Sequence, residues 1–175
     1  MIPAQLKLNI GCGAEPTEGW VNVDVRPLAG AVGVQGDINR LPFGDGQFHF
    51  ILADSVLEHL RDPRVAIAEL RRTVGVAGSV LVRVPALGAM AAHLDPTHRY
   101  LADLHHWVQL LEEQFVRVRV RSAGVRYRHH RSLVVIQYLL IKLFGWHELG
   151  QCWELTASRP RLQPISKIPR RWWLD

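Results

Sequence analysis

The chain has few of the residues that staple or anchor a protein. Among 175 residues there are two cysteines, Cys12 and Cys152, far apart and without a CxxC or CxxH neighbour. That excludes a disulfide framework and a cysteine zinc site. Long hydrophobic runs are missing too. The most apolar stretch, Leu133 to Trp146, is broken by Gln137 and Lys142 and is too short to cross a bilayer. The opening MIPAQLKLNIG lacks the charged leader and apolar core of a secretory signal, so the cytoplasm is the expected compartment. Acidic residues are scarce in one part only. Residues 1–114 hold nine Lys/Arg against thirteen Asp/Glu, net −4, whereas residues 115–175 hold twelve against three, net +9. The overall charge of +5 therefore belongs to the C-terminal third. Lysine is sparse, since 18 of the 21 basic residues are arginine; a GC-rich genome accounts for such a bias, and arginine also suits phosphate and carboxylate.

What is present suffices for one domain. Hydrophobic residues make up 48% of the chain, enough to bury a core and to exclude general disorder. Leu6 to Ile10 reads as a strand stopped by the turn Gly11-Cys12-Gly13, and Trp20 to Val25 as a second strand ended by Pro27. Gly30 to Val34 reads as a third. Phe48 to Leu52 is almost continuously apolar, as a central strand covered on both faces should be. A helix is expected from Asp62-Pro63, with Val65, Ile67, Ala68, Leu70 and Val74 as its buried stripe and Gly75 and Gly78 ending it. Ser79 to Val84 is the next strand. A histidine-bearing loop leads into a helix near Leu101 to Gln114. In the alternating FVRVRVR, Phe115 to Arg121, the valines Val116, Val118 and Val120 are expected to face the core. A helix over Leu133 to Phe144 and a strand over Gln151 to Ala157 complete the pattern. Strands separated by helices imply an open, mostly parallel α/β sheet. Residues 1–158 form the domain and residues 159–175 its basic tail, carrying Trp172-Trp173 and expected to be irregular.

A glycine turn after the first strand of such a sheet lets the backbone approach a ligand closely. A dinucleotide fingerprint wants a third glycine at position 16 and an acid about 20 residues downstream of the turn. Position 16 is proline and Asp24 comes too early, so a nicotinamide-dependent dehydrogenase is disfavoured. Asp24 instead ends the second strand, where a carboxylate can accept both hydroxyls of a ribose, and Asp37 follows the third, where one can accept an adenine amino group.

In order, LKLNIGCG, GWVNVDV, GDINRLPF, FHFILADSVLEHL and SVLVRVP resemble the successive motifs of class I S-adenosylmethionine-dependent methyltransferases, especially the small-molecule group that includes quinone-biosynthesis enzymes. The resemblance covers Leu6 to Pro85. It implies a Rossmann-like fold, a seven-stranded sheet with an antiparallel last strand inserted beside the sixth, and S-adenosylmethionine as cofactor. It also implies a cofactor set of Asn9, Gly11, Cys12, Gly13, Asp24, Val25, Asp37, Ile38, Asp54, Ser55 and His59, with Glu58 beside His59 one turn beyond. Read structurally, Asp54 would merely cap a helix starting near Ser55 and His59 would be an ordinary surface histidine. Two departures stand out. Only five residues precede the first strand, so minimal N-terminal helices are expected, and AEPTEG between Gly13 and Trp20 is shorter than a parallel crossover normally allows. The cleft should be open, with a homodimer partner or the C-terminal segment closing it.

Methyl transfer is an in-line displacement that requires alignment above all, and a base only for a weak nucleophile such as a neutral hydroxyl. Within HLDPTHRY, His98 is the expected base, with Asp95 orienting it and His59 as a further catalytic candidate. His93, Asp95 and His98 match no metal-ligand spacing, so no metal is expected. The expected acceptor is a hydroxyl of a small molecule: a metabolite, sugar or lipid intermediate. The arginines of FVRVRVR read first as an edge strand guarded against aggregation and second as a contact for an anionic acceptor or, with the tail, for acidic membrane lipid. ADSVLEH lacks the Asn/Asp-Pro-Pro-aromatic motif of base-amine methylation, so nucleic acid is not the expected partner, although other RNA methylation and a non-catalytic cofactor-binding subunit stand as alternatives.

Overall fold

The computed structural model describes residues 6–27, 33–124 and 151–165. Seven strands form one sheet: β1 (Lys7–Ile10), β2 (Val21–Asp24), β3 (Val34–Gln35), β4 (Phe48–Asp54), β5 (Val74–Pro85), β6 (Phe115–Gly124) and β7 (Gln151–Pro160). Their spatial order is β3-β2-β1-β4-β5-β7-β6. Strands β1 to β5 pair in parallel, and β7 lies antiparallel between β5 and β6, as expected. The apolar β4 sits mid-sheet. The helix expected over Leu133 to Phe144 lies outside the described residues. No helix among the described residues is long and apolar enough to cross a membrane.

The period-2 alternation of each strand sends one set of side chains to a common core. Register carries this across strands: Leu8, Ile51, Val80 and Ala157 lie in one row, and Ile10, Ala53, Val82 and Leu155 in the next. All eight are buried. Helix α1 (Pro63–Thr73) adds Ala66, Ile67 and Leu70 to this core, and α3 (Leu104–Glu112) adds Trp107, Leu110 and Leu111. Each Leu or Ile so buried contributes about 1.5–3 kcal/mol. A short helix, α2 (Met90–Leu94), lies between β5 and α3.

Several expectations are corrected. The buried stripe of α1 runs through Pro63, Ala66, Ile67, Leu70 and Thr73, which leaves Val65 on the flank and exposed. Gly75 and Gly78 do not end the helix; β5 starts at Val74 and passes through both. The register of β4 on β5 shifts between Phe48 and Phe50, and a Cβ on Gly78 would stand 2.7 Å from the His49 carbonyl oxygen. Glycine is what that irregularity requires. The third strand is described as Val34–Gln35, and residues 30–32 of the strand expected over Gly30 to Val34 lie outside the described residues. On β6, Phe115 is buried and Val118 half-buried, but Val116 and Val120 are exposed because β6 is the sheet edge. At the C-terminal end β7 continues to Pro160, and Arg161 then docks: its N–H donates to the Gln114 carbonyl and its Nε to that of Glu112, satisfying carbonyls at the end of α3.

The ten-residue connection from β1 to β2, residues 11–20, contains no helix. Side chains close it. Asn9 Nδ2 donates to Asn22 Oδ1 and to Thr17 Oγ1, both at 3.1 Å. Asn22 Oδ1 also accepts from the Thr17 N–H at 2.8 Å, while its Nδ2 donates to the carbonyls of Thr17 and Trp20. Trp20 then folds over the sheet, edge-on to Phe50.

A second clamp holds the loop between Asp37 and β4. Arg72 near the end of α1 donates to the carbonyls of Leu41 and Phe43 and to the carboxylates of Asp45 and Glu69. Glu69 Oε2 also accepts from the Leu41 N–H at 2.9 Å. The Arg72 hydrogen bonds hold the Glu69 carboxyl below its ordinary 4.5, outweighing burial. A depressed carboxyl contributes stability that is complete above its unfolded value and is lost as pH falls through the folded one. Glu69→Gln should therefore cost about 2 kcal/mol at pH 7. In urea unfolding, the difference from the unmodified protein should narrow steadily once the pH falls below 4.5; a difference independent of pH would refute the charged clamp.

Candidate active site

The strand order reverses between β1 and β4, and ligands of open α/β sheets bind beyond the carboxyl ends of the strands at such a switch. Here β1 ends in two glycines with left-handed backbone, Gly11 at φ 67° and Gly13 at φ 56°. A Cβ on Gly11 would stand 2.4 Å from Val56 Cγ2, so both its conformation and its surroundings require glycine. The Gly13 N–H donates to Asp24 Oδ2 at 2.8 Å. Asp24 Oδ1 accepts from the N–H of Arg26 at 2.9 Å and from its Nε at 3.2 Å. Burial pushes this carboxyl up, but the donors from Arg26 and Gly13 outweigh it, and the group stays below its ordinary 3.8. It is a buried, fully ionised acceptor.

Asp24 and Asp37 share a cleft of about 520 Å³. One wall carries Gly11, Asp24, Val25, Asp37 and Ile38; the other carries Ser55, Val56, His59 and Thr97. Asp37 Oδ1 accepts from the N–H and the side chain of Asn39, both at 2.9 Å, which fixes its carboxylate at the mouth. Ser55 is the second wall's hinge, a serine at φ 56° where β4 leaves the sheet. Strain of this kind concentrates at functional sites.

Seven of the predicted cofactor residues line this cleft: Gly11, Asp24, Val25, Asp37, Ile38, Ser55 and His59. Four do not. Gly13 acts behind it through its bond to Asp24. Asn9 is spent on Thr17 and Asn22, and Cys12 is buried. Asp54 is turned to Arg83, which holds it at 2.8 Å and Glu154 at 2.8 Å in one cross-strand row. The helix expected after Ser55 is a single 3-10 turn, Leu57–His59, and Asp54 does not cap it.

The catalytic candidates are also rearranged. His98 is not at the cleft wall; its side chain is 8% exposed and its Nδ1 meets the Ala92 carbonyl at 2.9 Å. Asp95 Oδ2 stands 3.8 Å from His98 Nε2, beyond hydrogen-bond reach, while Asp95 Oδ1 accepts from Thr97 Oγ1 at 2.5 Å. His59 is the imidazole that reaches the cleft. Its Nδ1 lies 2.9 Å from Thr97 Oγ1 and 3.3 Å from the Thr97 carbonyl. The single Thr97 hydroxyl proton goes to Asp95, so Nδ1 of His59 is the donor and Nε2 keeps its lone pair. Thr97 and Val56 escaped sequence reading because neither carries a charge or an unusual spacing.

Glu58 lies beside His59 and is 1% exposed, and among the described residues neither carboxylate oxygen meets a donor at hydrogen-bond geometry. Its main-chain carbonyl accepts the N–H groups of Arg99 and Tyr100, tying this turn to the loop that carries Thr97 and His98. Burial raises the Glu58 carboxyl to about 7, with the charges of Asp54 and Asp95 adding to the effect.

A family model described as a methyltransferase domain matches residues 8–82, which span β1 to most of β5. This stretch of the chain is similar to methyltransferase domains, and it includes Gly11, Asp24, Asp37 and the turn that carries Ser55 and His59. The chain's fold is shared by a S-adenosylmethionine-dependent methyltransferase from Archaeoglobus fulgidus, 18% identical, with 90% of this chain and 86% of that one covered at a TM-score of 0.62. The phosphoethanolamine-type N-methyltransferase 2 of Haemonchus contortus, solved with phosphomonomethylethanolamine and S-adenosylhomocysteine, is 15% identical over 90% of this chain and 49% of that one, at a TM-score of 0.64. At these identities the likeness is one of fold. An uncharacterized 37.1 kDa protein in transposon TN4556 of Streptomyces fradiae is 27% identical in an alignment of 106 positions that covers 47% of this chain and 31% of that protein. The matched part thus spans about a third of that relative's length.

The residues fit the methyltransferase cofactor: a glycine where a side chain would fill the turn, an ionised carboxylate for ribose hydroxyls, and Ile38 with Asp37 for a flat base bearing an amine. Gly11→Ala should consequently abolish most cofactor binding. A loss of at least about tenfold in calorimetric affinity is expected from the strained turn and the displaced Val56, and unchanged affinity would show that the cofactor lies elsewhere.

Proposed function

We propose that this protein transfers the methyl group of S-adenosylmethionine to a hydroxyl of a small molecule. The observation that carries the reading is the pair of carboxylates, Asp24 and Asp37, facing the imidazole of His59 across one cleft. Asp24 accepts from the ribose hydroxyls, and Arg26, whose side chain is 75% exposed, can swing aside to release the lone pair it occupies. Asp37 and Ile38 hold the adenine, and the glycine turn admits the methionine end.

The bound cofactor supplies an electrophilic methyl group on a sulfonium. The chain's residues then have two tasks, to align the acceptor with that methyl and to ease the loss of its proton. Ser55 and Val56 shape the floor between cofactor and acceptor. The cluster of Glu58, His59 and His98 is the group next to the acceptor able to lower the cost of ionising a hydroxyl, with the Nε2 lone pair of His59 as its face toward the cleft. Asp95 acts at one remove, by taking the Thr97 proton and so setting the His59 tautomer.

Asp24→Ala should weaken S-adenosylmethionine by at least tenfold, roughly what the loss of one or two charge-assisted hydrogen bonds costs. Calorimetry checks this; undiminished affinity would refute the ribose assignment. For the acceptor, methyl-labelled cofactor incubated with the protein and a host metabolite extract should yield a labelled methyl ether by mass spectrometry. Label on nitrogen or on RNA would overturn the hydroxyl assignment.

A further inference from the structure

We propose that Glu58, His59 and His98 form a site for one divalent transition-metal cation at the acceptor end of the cleft. One nitrogen of each imidazole and one Glu58 carboxylate oxygen lie within 4.8 Å of one another. Ligands bound to a single ion at about 2.0–2.2 Å stand roughly 3.3–4.3 Å apart, so shifts of about half an ångström close the set.

The second observation is Glu58 itself. A carboxyl group that is 1% exposed and meets no donor is costly, and buried polar groups in folded proteins nearly always have partners. Among the described residues nothing donates to it: the Nδ1 atoms of His98 and His59 are engaged by Ala92 and Thr97, and the nearby charges of Asp54 and Asp95 are of the same sign. A cation relieves all three carboxylates together.

The ligand orientation is already supported from behind. His98 Nδ1 meets the Ala92 carbonyl and His59 Nδ1 meets Thr97, itself held by Asp95. Metal-bound histidines use their second nitrogen in this way, which fixes the ring and leaves the other lone pair for the ion. Two imidazoles with one carboxylate suit zinc, manganese or iron rather than magnesium or calcium, and such sets leave coordination positions open. His59 lines the cofactor cleft, so an open position faces the acceptor.

This inference rests on the methyl-transfer reading for its use, though not for the site's existence. A hydroxyl bound to the ion would lose its proton to water near neutral pH. Its oxygen would then form the bond to the methyl carbon as the carbon–sulfur bond breaks, leaving a neutral thioether.

The test is calorimetry on the chelator-treated full chain with manganese and with zinc. One ion per chain at micromolar affinity is expected, and Glu58→Gln and His98→Gln should each weaken it at least tenfold. His93→Gln, whose imidazole meets the Leu87 carbonyl outside the cluster, should bind as the unmodified protein does. Circular dichroism of the metal-free variants shows that each remains folded. No binding at millimolar metal, or binding that survives both Glu58→Gln and His98→Gln, overturns the site. Titration of the chelated protein with S-adenosylmethionine separates the two proposals. Cofactor binding without metal binding leaves the methyl-transfer reading and removes this one, and the reverse outcome does the opposite.

Discussion

The hydrogen bond from the Gly13 N–H to Asp24 Oδ2, 2.8 Å long, joins the two features on which the cleft depends. It holds the turn after β1 in the left-handed conformation that keeps side chains out of the ligand's way. The same bond helps keep a buried carboxylate ionised at the end of β2, where an unpaired carboxyl would tend to neutralise. Neighbouring strands supply its two ends, and the parallel pairing of β1 with β2 brings them together. Disturbing either strand's register would therefore affect backbone shape and charge at once.

That register has to be set without the usual crossover helix. Parallel strands normally need a dozen or more residues and a helix between them, because the chain must return to its starting end. Here the buried amides of Asn9 and Asn22 replace the helix by bonding each other and the backbone of Thr17 and Trp20. A polar pair inside a sheet costs little when every group is matched, and it specifies register strongly because any slip leaves amides unpaired. Asn9 thus serves the site by holding the loop that shapes it, and this explains why it does not line the cleft.

The opposite wall shows a different economy. Asp54, Arg83 and Glu154 form a matched row across three strands, and Arg72 with Glu69 clamps the loop before β4. In both clusters each charge meets an opposite one. Glu58 breaks this pattern, since it is fully buried and unpaired within a cluster of imidazoles. Departures from polar matching tend to mark function, and this one adjoins His59 on the wall of the cleft.

Much of the fold was legible in the residues. Alternating and continuous apolar runs placed six strands, and the third at Val34 alone, because period-2 burial leaves a strong imprint on composition. Gly11, Asp24 and Asp37 stood out by residue type and by their places after β1, at the end of β2 and after β3, and they line one cleft. Helix boundaries and edges were less legible: Gly75 and Gly78 look like helix stops but serve a strand irregularity, and Val116 and Val120 look like core but lie on the sheet edge. Such outcomes depend on neighbours distant in the chain. The sequence alone thus determined the sheet, the glycine turn and the two carboxylates of the cleft, which follow from local pattern and chemistry. Only the tertiary structure decided that His59 rather than His98 meets the cleft, that Asp54 turns away to Arg83, and that Glu58 is buried between two imidazoles. Those facts depend on how β5 and a loop some forty residues away pack against the end of β4, and no local spacing encodes that packing.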